Sequence, residues 1–70
     1  MSYLKELRVV GRLPLPRGCE LRVRLVSFRG AAPVVDVRAF NKGGRPTARG
    51  VFLPPGRVEE LVRLLEEANP

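Results

Sequence analysis

Residues 21–30 have the sequence LRVRLVSFRG, and this stretch decides the predicted fold. Alternation of apolar and other residues over about four to eight positions is typical of a half-buried β-strand. The odd positions are all apolar: Leu21, Val23 and Leu25. The even positions mix charge with apolar bulk: Arg22, Arg24, Val26 and Phe28. The odd residues therefore predict the core face. The other face should be solvated, but it carries a valine and a phenylalanine beside two arginines. This mixture indicates a surface that contacts something other than water.

A first strand is predicted over residues 4–13, LKELRVVGRL. From Glu6 onward the side chains alternate, and the apolar side carries Leu7, Val9 and Leu13. The opposite side carries Glu6, Arg8, Val10 and Arg12. Pro14 and Pro16 end this strand, because proline cannot donate a hydrogen bond to a β-ladder.

Two further strands are predicted over residues 34–40 and 47–53. In the third strand, Val35, Val37 and Ala39 lie on one face, and the other face carries Val34, Asp36, Arg38 and Phe40. Gly50, inside the fourth strand, predicts a bulge or a close approach of two backbones. Residues 30–33 and 41–46 are rich in glycine and proline and predict the turns between strands.

An amphipathic helix is predicted over residues 58–68, VEELVRLLEEA, because its apolar residues recur at helical spacing. We interpret four of them as core or dimer contacts: Val58, Leu61, Val62 and Leu65. The element order ββββα predicts an α+β fold in one domain, residues 1–70, with a four-stranded antiparallel sheet and one C-terminal helix. One sheet face would take the helix or a partner subunit, and the other would stay open.

The small size of the chain predicts self-association. A domain of 70 residues buries little apolar surface and is marginally stable without a staple. Cys19 is the only cysteine, and the chain has no histidine, so neither an intrachain disulfide nor a zinc site of the Cys/His type can form. A homodimer is the remaining common solution.

The same residues argue against an enzyme. Without histidine there is no Ser-His-Asp triad and no histidine general base. The acidic residues form no obvious catalytic pair, and Cys19 is best interpreted as an incidental thiol near a turn. We therefore expect no catalysis, no cofactor and no metal.

The positive charge is concentrated before the helix. Residues 1–57 carry 12 basic and 3 acidic residues, a net of +9, whereas residues 58–70 carry a net of −3. Such a surface attracts polyanions, of which nucleic acid is the commonest. Of the 13 basic residues 11 are arginine, whose planar fork suits phosphate, although the codon bias of a GC-rich genome accounts for this ratio equally well.

Arginines interleaved with aromatic residues across a sheet are typical of single-stranded nucleic-acid binding, where cations follow the phosphates and rings stack on bases. The candidate nucleic-acid-binding residues are Arg22, Arg24, Phe28, Arg29, Arg38, Phe40, Lys42, Arg45, Arg49 and Gly50. Each has a simpler interpretation. Phe28 and Phe40 would merely pack across strands, and the arginines would merely be solvated.

Three short segments, followed by proline and an acidic amphipathic helix, carry a family resemblance: VSFRG (26–30), VDVRAF (35–40) and ARGVFL (48–53). Over residues 5–68 the chain resembles the single-stranded DNA-binding domain of the transcriptional coactivator positive cofactor four family, which has a Whirly-like fold. The resemblance implies a ββββα chain that dimerises through its helix and sheet edge and forms two grooves for unpaired strands.

The resemblance also implies site residues. The positions that match the ligand-facing motif of the family are Phe28, Arg29, Arg38, Phe40, Arg49 and Gly50. One position departs from the pattern, because Asn41 stands where the family often has a further aromatic residue.

We therefore expect a homodimeric, sequence-tolerant single-stranded DNA-binding protein with a role in transcription, replication or repair. The alternatives are an RNA-binding or duplex-DNA chromatin protein, and a protein-interaction module that docks an acidic partner. No signal peptide or membrane span is predicted, and the single free cysteine fits a reducing compartment, so the expected location is the cytoplasm (nucleoid-associated) or the nucleus.

Overall fold

The computed structural model describes residues 3–70, so the first two positions of the predicted domain lie outside the described residues. The chain forms a four-stranded antiparallel sheet in the order β1-β2-β3-β4, followed by one helix. The elements are β1 Leu4–Pro14, β2 Glu20–Phe28, β3 Val34–Phe40, β4 Pro46–Leu53 and α1 Val58–Ala68. The predicted α+β class and ββββα order are confirmed.

Two of the turns place an arginine in the left-handed region of backbone conformation. Between β1 and β2, Arg17 has φ 65° and Gly18 has φ 76°. Between β2 and β3, Arg29 has φ 50° and Gly30 has φ 76°, and the amide of Ala31 donates to the carbonyl of Phe28 at 2.9 Å. Two consecutive residues with positive φ are typical of tight turns that suit the twist of a hairpin. Both arginines are exposed.

Strand β1 does not keep the regular alternation predicted from its sequence. Its pairing with β2 shifts between Glu6 and Arg8 and again between Val9 and Gly11. Val9 consequently pairs with Arg24 and shares a sheet face with Glu6, so the predicted separation of these two residues is wrong. Each irregularity adds one residue to β1 and reverses the phase of the side chains that follow.

Gly50 has the close backbone approach predicted for it. A Cβ atom at this position would lie 2.6 Å from the carbonyl oxygen of Val37 and 2.8 Å from the Cα of Arg38. The pairing of β3 with β4 also shifts between Arg38 and Phe40. Glycine is required here because real Cβ atoms essentially never come so close to backbone atoms.

The most buried side chains lie on the face that was predicted to be open. We call it the arginine-aromatic face, defined by Arg22, Arg24, Val26, Asp36, Arg38, Phe40 and Phe52. Val26 and Asp36 are 0% exposed and Phe40 is 3% exposed. Long arginine side chains lie across the sheet and shield the groups beneath them, so these groups are less accessible than an open face implies.

The opposite sheet face, predicted as the core, is only half-buried in the single chain. Its half-buried residues are Leu21, Val23, Leu25, Val35, Val37, Ala39 and Leu53. Within the described residues no side chain of this apolar set reaches the burial of Val26. A single chain therefore leaves this face incompletely covered.

The helix has the predicted bounds but contains no buried residue. Its apolar stripe is largely exposed, with Val58 at 39%, Val62 at 47% and Leu65 at 60%, while Leu61 is half-buried. The helix therefore does not complete a core in the single chain, and its role as a dimer contact stays a prediction. Among residues 3–70 there is no helix long and apolar enough to cross a membrane.

Candidate nucleic-acid interface

A buried ion cluster occupies the centre of the arginine-aromatic face. Asp36 is 0% exposed and accepts a hydrogen bond from Nε of Arg24 at 2.7 Å. Nε of Arg38 donates to the same carboxylate at 3.1 Å, and Nη2 of Arg38 lies 3.0 Å from it. A buried carboxylate needs such partners, because an unpaired charge in the interior is strongly destabilising. Arg24 and Arg38 therefore act as the counter-ions of Asp36.

Aromatic rings lie beneath or beside these guanidinium groups. Cζ of Arg22 lies 4.0 Å from the ring centroid of Phe40, and Cζ of Arg24 lies 5.0 Å from it. Cζ of Arg38 lies 4.7 Å from the ring centroid of Phe52. These distances are within the range of about 6 Å for cation–π attraction. Because Phe40 is only 3% exposed under the arginines, its ring is not available to a base in this arrangement.

A second group of cations lies at one end of the sheet. We call it the basic end, defined by Arg17, Lys42, Arg45 and Arg49, all of which are exposed. The β1–β2 turn and the β3–β4 loop meet at this end because successive antiparallel strands reverse direction. The two segments are in contact, since a Cβ at Gly18 would lie 3.3 Å from Cγ of Lys42.

The four cations of the basic end have no ionic partner within the described residues. None of them lies within 4.0 Å of a carboxylate. By contrast, the three acidic residues that precede the helix all contact arginines at or near the arginine-aromatic face: Glu6, Glu20 and Asp36. The unbalanced positive charge is therefore displaced from the centre of the sheet to this end.

An open groove of about 740 Å³ lies at the basic end. Arg17 and Arg49 line it together with apolar groups of Leu15, Pro16 and Ala39. Cations beside an apolar wall offer a phosphate and a planar base neighbouring contacts.

Asn41 shapes the loop that carries two of these cations. Its backbone amide donates to the carbonyl of Arg45 at 2.9 Å, and its side-chain oxygen accepts the amide of Arg45 at 3.0 Å. The amide of Gly44 donates to the carbonyl of Asn41 at 2.9 Å. The residue that departs from the family pattern therefore closes the loop and fixes the positions of Lys42 and Arg45.

Phe28 and Arg29 lie at the other end of β2. The ring of Phe28 is 39% exposed and makes an edge contact with Phe52, with ring centroids 4.9 Å apart. Cζ of Arg29 lies 3.9 Å from the ring centroid of Tyr3. The structure therefore separates the predicted site residues along the sheet. Phe28 and Arg29 lie at one end, and Lys42, Arg45 and Arg49 lie at the other. Between the two ends are Arg22, Arg24, Arg38 and Phe40, while Gly50 packs against the backbone of β3.

Three residues of the interface were missed by sequence reasoning. Arg17 was not among the predicted site residues, although the antiparallel order places the β1–β2 turn beside the 41–45 loop. Phe52 shares a face with Gly50, and strand alternation alone could have shown this. Asp36 was noted as a lone acid on the arginine face, but its pairing with Arg24 depends on the cross-strand register.

Comparison of the chain with models of protein families, with curated proteins and with solved structures finds no match. The resemblance to the positive cofactor four family stays a prediction.

Proposed function

We propose that the protein is a homodimeric, sequence-tolerant single-stranded DNA-binding protein that acts in transcription, replication or repair. The observation that carries this proposal is the basic end, where four exposed cations have no carboxylate partner among residues 3–70 and two of them, Arg17 and Arg49, line a groove with apolar walls. Cations that are not engaged within the protein can contact phosphates without breaking an existing ion pair. This arrangement supports binding of a flexible polyanion.

The groove favours an unpaired strand over a duplex. Its apolar lining of Leu15 and Pro16 can contact the face of a base, and a duplex hides its base faces in the stack. The exposed ring of Phe28 offers a stacking surface at the far end of β2. Neither surface distinguishes one base from another, which supports sequence-tolerant binding.

The arginine-aromatic face contributes little net attraction for phosphate. Arg12, Arg22, Arg24 and Arg38 are balanced there by Glu6, Glu20 and Asp36, which leaves a net charge of about +1. The sequence-based expectation that Arg22, Arg24 and Arg38 all hold phosphates is therefore narrowed in the proposal. The phosphates are held mainly at the basic end.

A second copy of the chain is the occupant that best suits the exposed apolar surface. The stripe of α1 and the half-buried sheet face are both incompletely covered, and 70 residues without a disulfide form a marginal core. The apolar side chains exposed on the helix include Val62, Leu64 and Leu65. Burial against an identical surface supports the homodimer in this proposal.

A titration with a fluorescent oligonucleotide, combined with sedimentation equilibrium, tests the proposal. Unpaired DNA, unpaired RNA and duplex DNA of equal length are compared at several salt concentrations. We expect a dimer that binds unpaired DNA most tightly, with log K falling against log salt at a slope of about −2.8 or steeper, since four phosphates are held. Preference for RNA or duplex, or no salt-dependent binding, would contradict it. In the last case an acidic protein partner becomes the better hypothesis.

A further inference from the structure

The three arginines of the arginine-aromatic face differ in how many of their nitrogens are already engaged. All three side-chain nitrogens of Arg38 have partners, since Nε and Nη2 contact Asp36 and Nη1 donates to the carbonyl of Thr47 at 2.9 Å. Arg24 uses Nε for Asp36 and Nη1 for Glu6, which leaves only Nη2 without a hydrogen bond among residues 3–70. Arg22 donates only from Nε, to Glu20. Its two Nη groups form no hydrogen bond with residues 3–70.

The free nitrogens of Arg22 reach solvent. Within the described residues no buried side-chain nitrogen or oxygen lacks a hydrogen-bond partner. Both Nη groups of Arg22 lack one, so they are not buried. The side chain of Arg22 is 17% exposed, against 6% for Arg24 and 10% for Arg38. Arg22 is therefore the outermost of the three, with two donors available to a ligand.

Two residues hold the guanidinium of Arg22 in place. The ring of Phe40 lies under it, with Cζ 4.0 Å from the ring centroid, and Glu20 accepts the hydrogen bond from Nε. Glu20 also lies 3.8 Å from Arg12, which pairs with Arg22 across the strands, so one carboxylate faces two cations. The neutralisation of Arg22 is therefore incomplete, and a second anion is favourable there.

Arg22 is also close enough to the basic end to act with it. It lies two residues into β2, about 7 Å from the start of that strand. Phe40, which supports Arg22, is also one of the residues that line the groove, together with Arg17 and Arg49. A strand held at the basic end can therefore extend over Arg22.

We infer that Arg22 contacts a backbone phosphodiester of the bound strand through its two Nη groups. Phe40 contributes to binding as a positioning residue that acts through Arg22, not as a surface on which a base stacks. Arg24 and Arg38 hold Asp36 and leave the phosphate to Arg22. This inference rests on the proposed function and adds a fifth phosphate contact to the four of the basic end.

A double-mutant cycle with Arg22→Gln and Phe40→Leu tests the inference, because leucine keeps apolar bulk but removes the ring. Arg22→Gln should weaken binding of unpaired DNA about 10- to 100-fold and move the salt slope from about −3.5 to about −2.8. Phe40→Leu should weaken binding about three- to tenfold in the wild-type background and not at all in the Arg22→Gln background. Circular dichroism and thermal melting establish that each variant is folded.

The matched control is Arg63→Gln, which removes one exposed cation from the helix and should leave the slope unchanged. Arg22→Lys provides a second test that leaves the buried ring intact. It should keep the slope near −3.5 but weaken binding about fivefold, since lysine has no planar fork.

Distinct results would overturn the inference. An unchanged slope in Arg22→Gln would remove the phosphate contact, and equal affinity of Arg22→Lys would remove the role of the fork. An equal loss from Phe40→Leu in both backgrounds would mean that the ring touches the ligand directly. If the wild-type protein binds no unpaired DNA, the proposed function fails together with this inference. If the wild-type protein binds but a variant gives one of the three contrary results above, only this inference fails.

Discussion

The basic end and the arginine-aromatic face use the same residue type for opposite purposes. At the basic end, Arg17, Arg45 and Arg49 are exposed and have no carboxylate partner among residues 3–70. On the arginine-aromatic face, Arg24 and Arg38 are buried and converge on Asp36. The placement of carboxylates, and not of arginines, therefore separates the cations that are free to bind phosphate from those that hold the sheet together.

The largest effect that this comparison predicts is on stability. Asp36→Asn keeps the shape of the side chain but removes the charge that Arg24 and Arg38 share. We expect the free energy of unfolding to fall by about 3–5 kcal/mol, because two buried guanidinium groups lose their counter-ion. Denaturant unfolding monitored by circular dichroism measures this. The control is Glu67→Gln, on the exposed helix surface, which should lower the free energy of unfolding only slightly. If Asp36→Asn lowers it no more than the control does, the ion cluster does not stabilise the fold.

The second prediction concerns the basic end and reverses the pattern. Lys42→Gln combined with Arg45→Gln should leave thermal stability unchanged, because both side chains are exposed and unpaired within the described residues. Binding of unpaired DNA should fall about 25-fold at 0.1 M salt, and the salt slope should shrink by about 1.4, from about −0.7 per phosphate. Fluorescence anisotropy measures the affinity and the salt slope. Arg63→Gln is the control, since it removes one positive charge, as each of the two substitutions does. Unchanged affinity would remove the loop from the interface.

Gly50 distinguishes the two regions in another way, since it was predicted as a binding residue but lies against the backbone of β3. Gly50→Ala should lower the free energy of unfolding by about 1–3 kcal/mol, because a Cβ there would lie 2.6 Å from the carbonyl oxygen of Val37. The affinity of the fraction that stays folded should be unchanged. Gly11→Ala, in β1, is the comparison, because a Cβ there has no neighbour within 4 Å and Gly11 is not in the left-handed region. If Gly50→Ala weakens binding without loss of stability, Gly50 belongs to the interface.

The last prediction concerns Phe28, whose ring is 39% exposed. Phe28→Ala should weaken binding of unpaired DNA by about 1–3 kcal/mol through loss of a stacking surface. The dimer should stay intact in sedimentation experiments. Loss of the dimer with retained affinity per chain would show that the ring packs against a partner.

The elements of this fold follow from local patterns in the sequence. The helix over residues 58–68 and the third strand over residues 34–40 have the predicted bounds, because side-chain periodicity determines both. Gly50 could also be interpreted from its position alone, since a glycine inside a strand indicates a close approach.

The burial of the site could not be predicted, because it depends on contacts between strands. Alternation placed Arg24, Asp36 and Phe40 on one face, but only the register shows that Arg24 lies opposite Asp36. Burial of Phe40 further depends on the direction in which Arg22 and Arg24 extend. The first irregularity in β1, at Leu7, has no glycine or proline beside it and so no local signal, whereas the second, at Val10, is bordered by Gly11.

The central claim is that the basic end holds the phosphates of the bound strand. The most direct test is the salt dependence of single-stranded DNA binding. It is measured for the wild-type protein and for a variant with glutamine at all four basic-end positions. We predict a wild-type slope near −3.5 that falls to about −0.7 in the variant, since only the contact of Arg22 remains. Both proteins should melt at similar temperatures because the buried cluster around Asp36 is untouched. A folded variant that keeps the wild-type slope would contradict the assignment of the phosphates to the basic end.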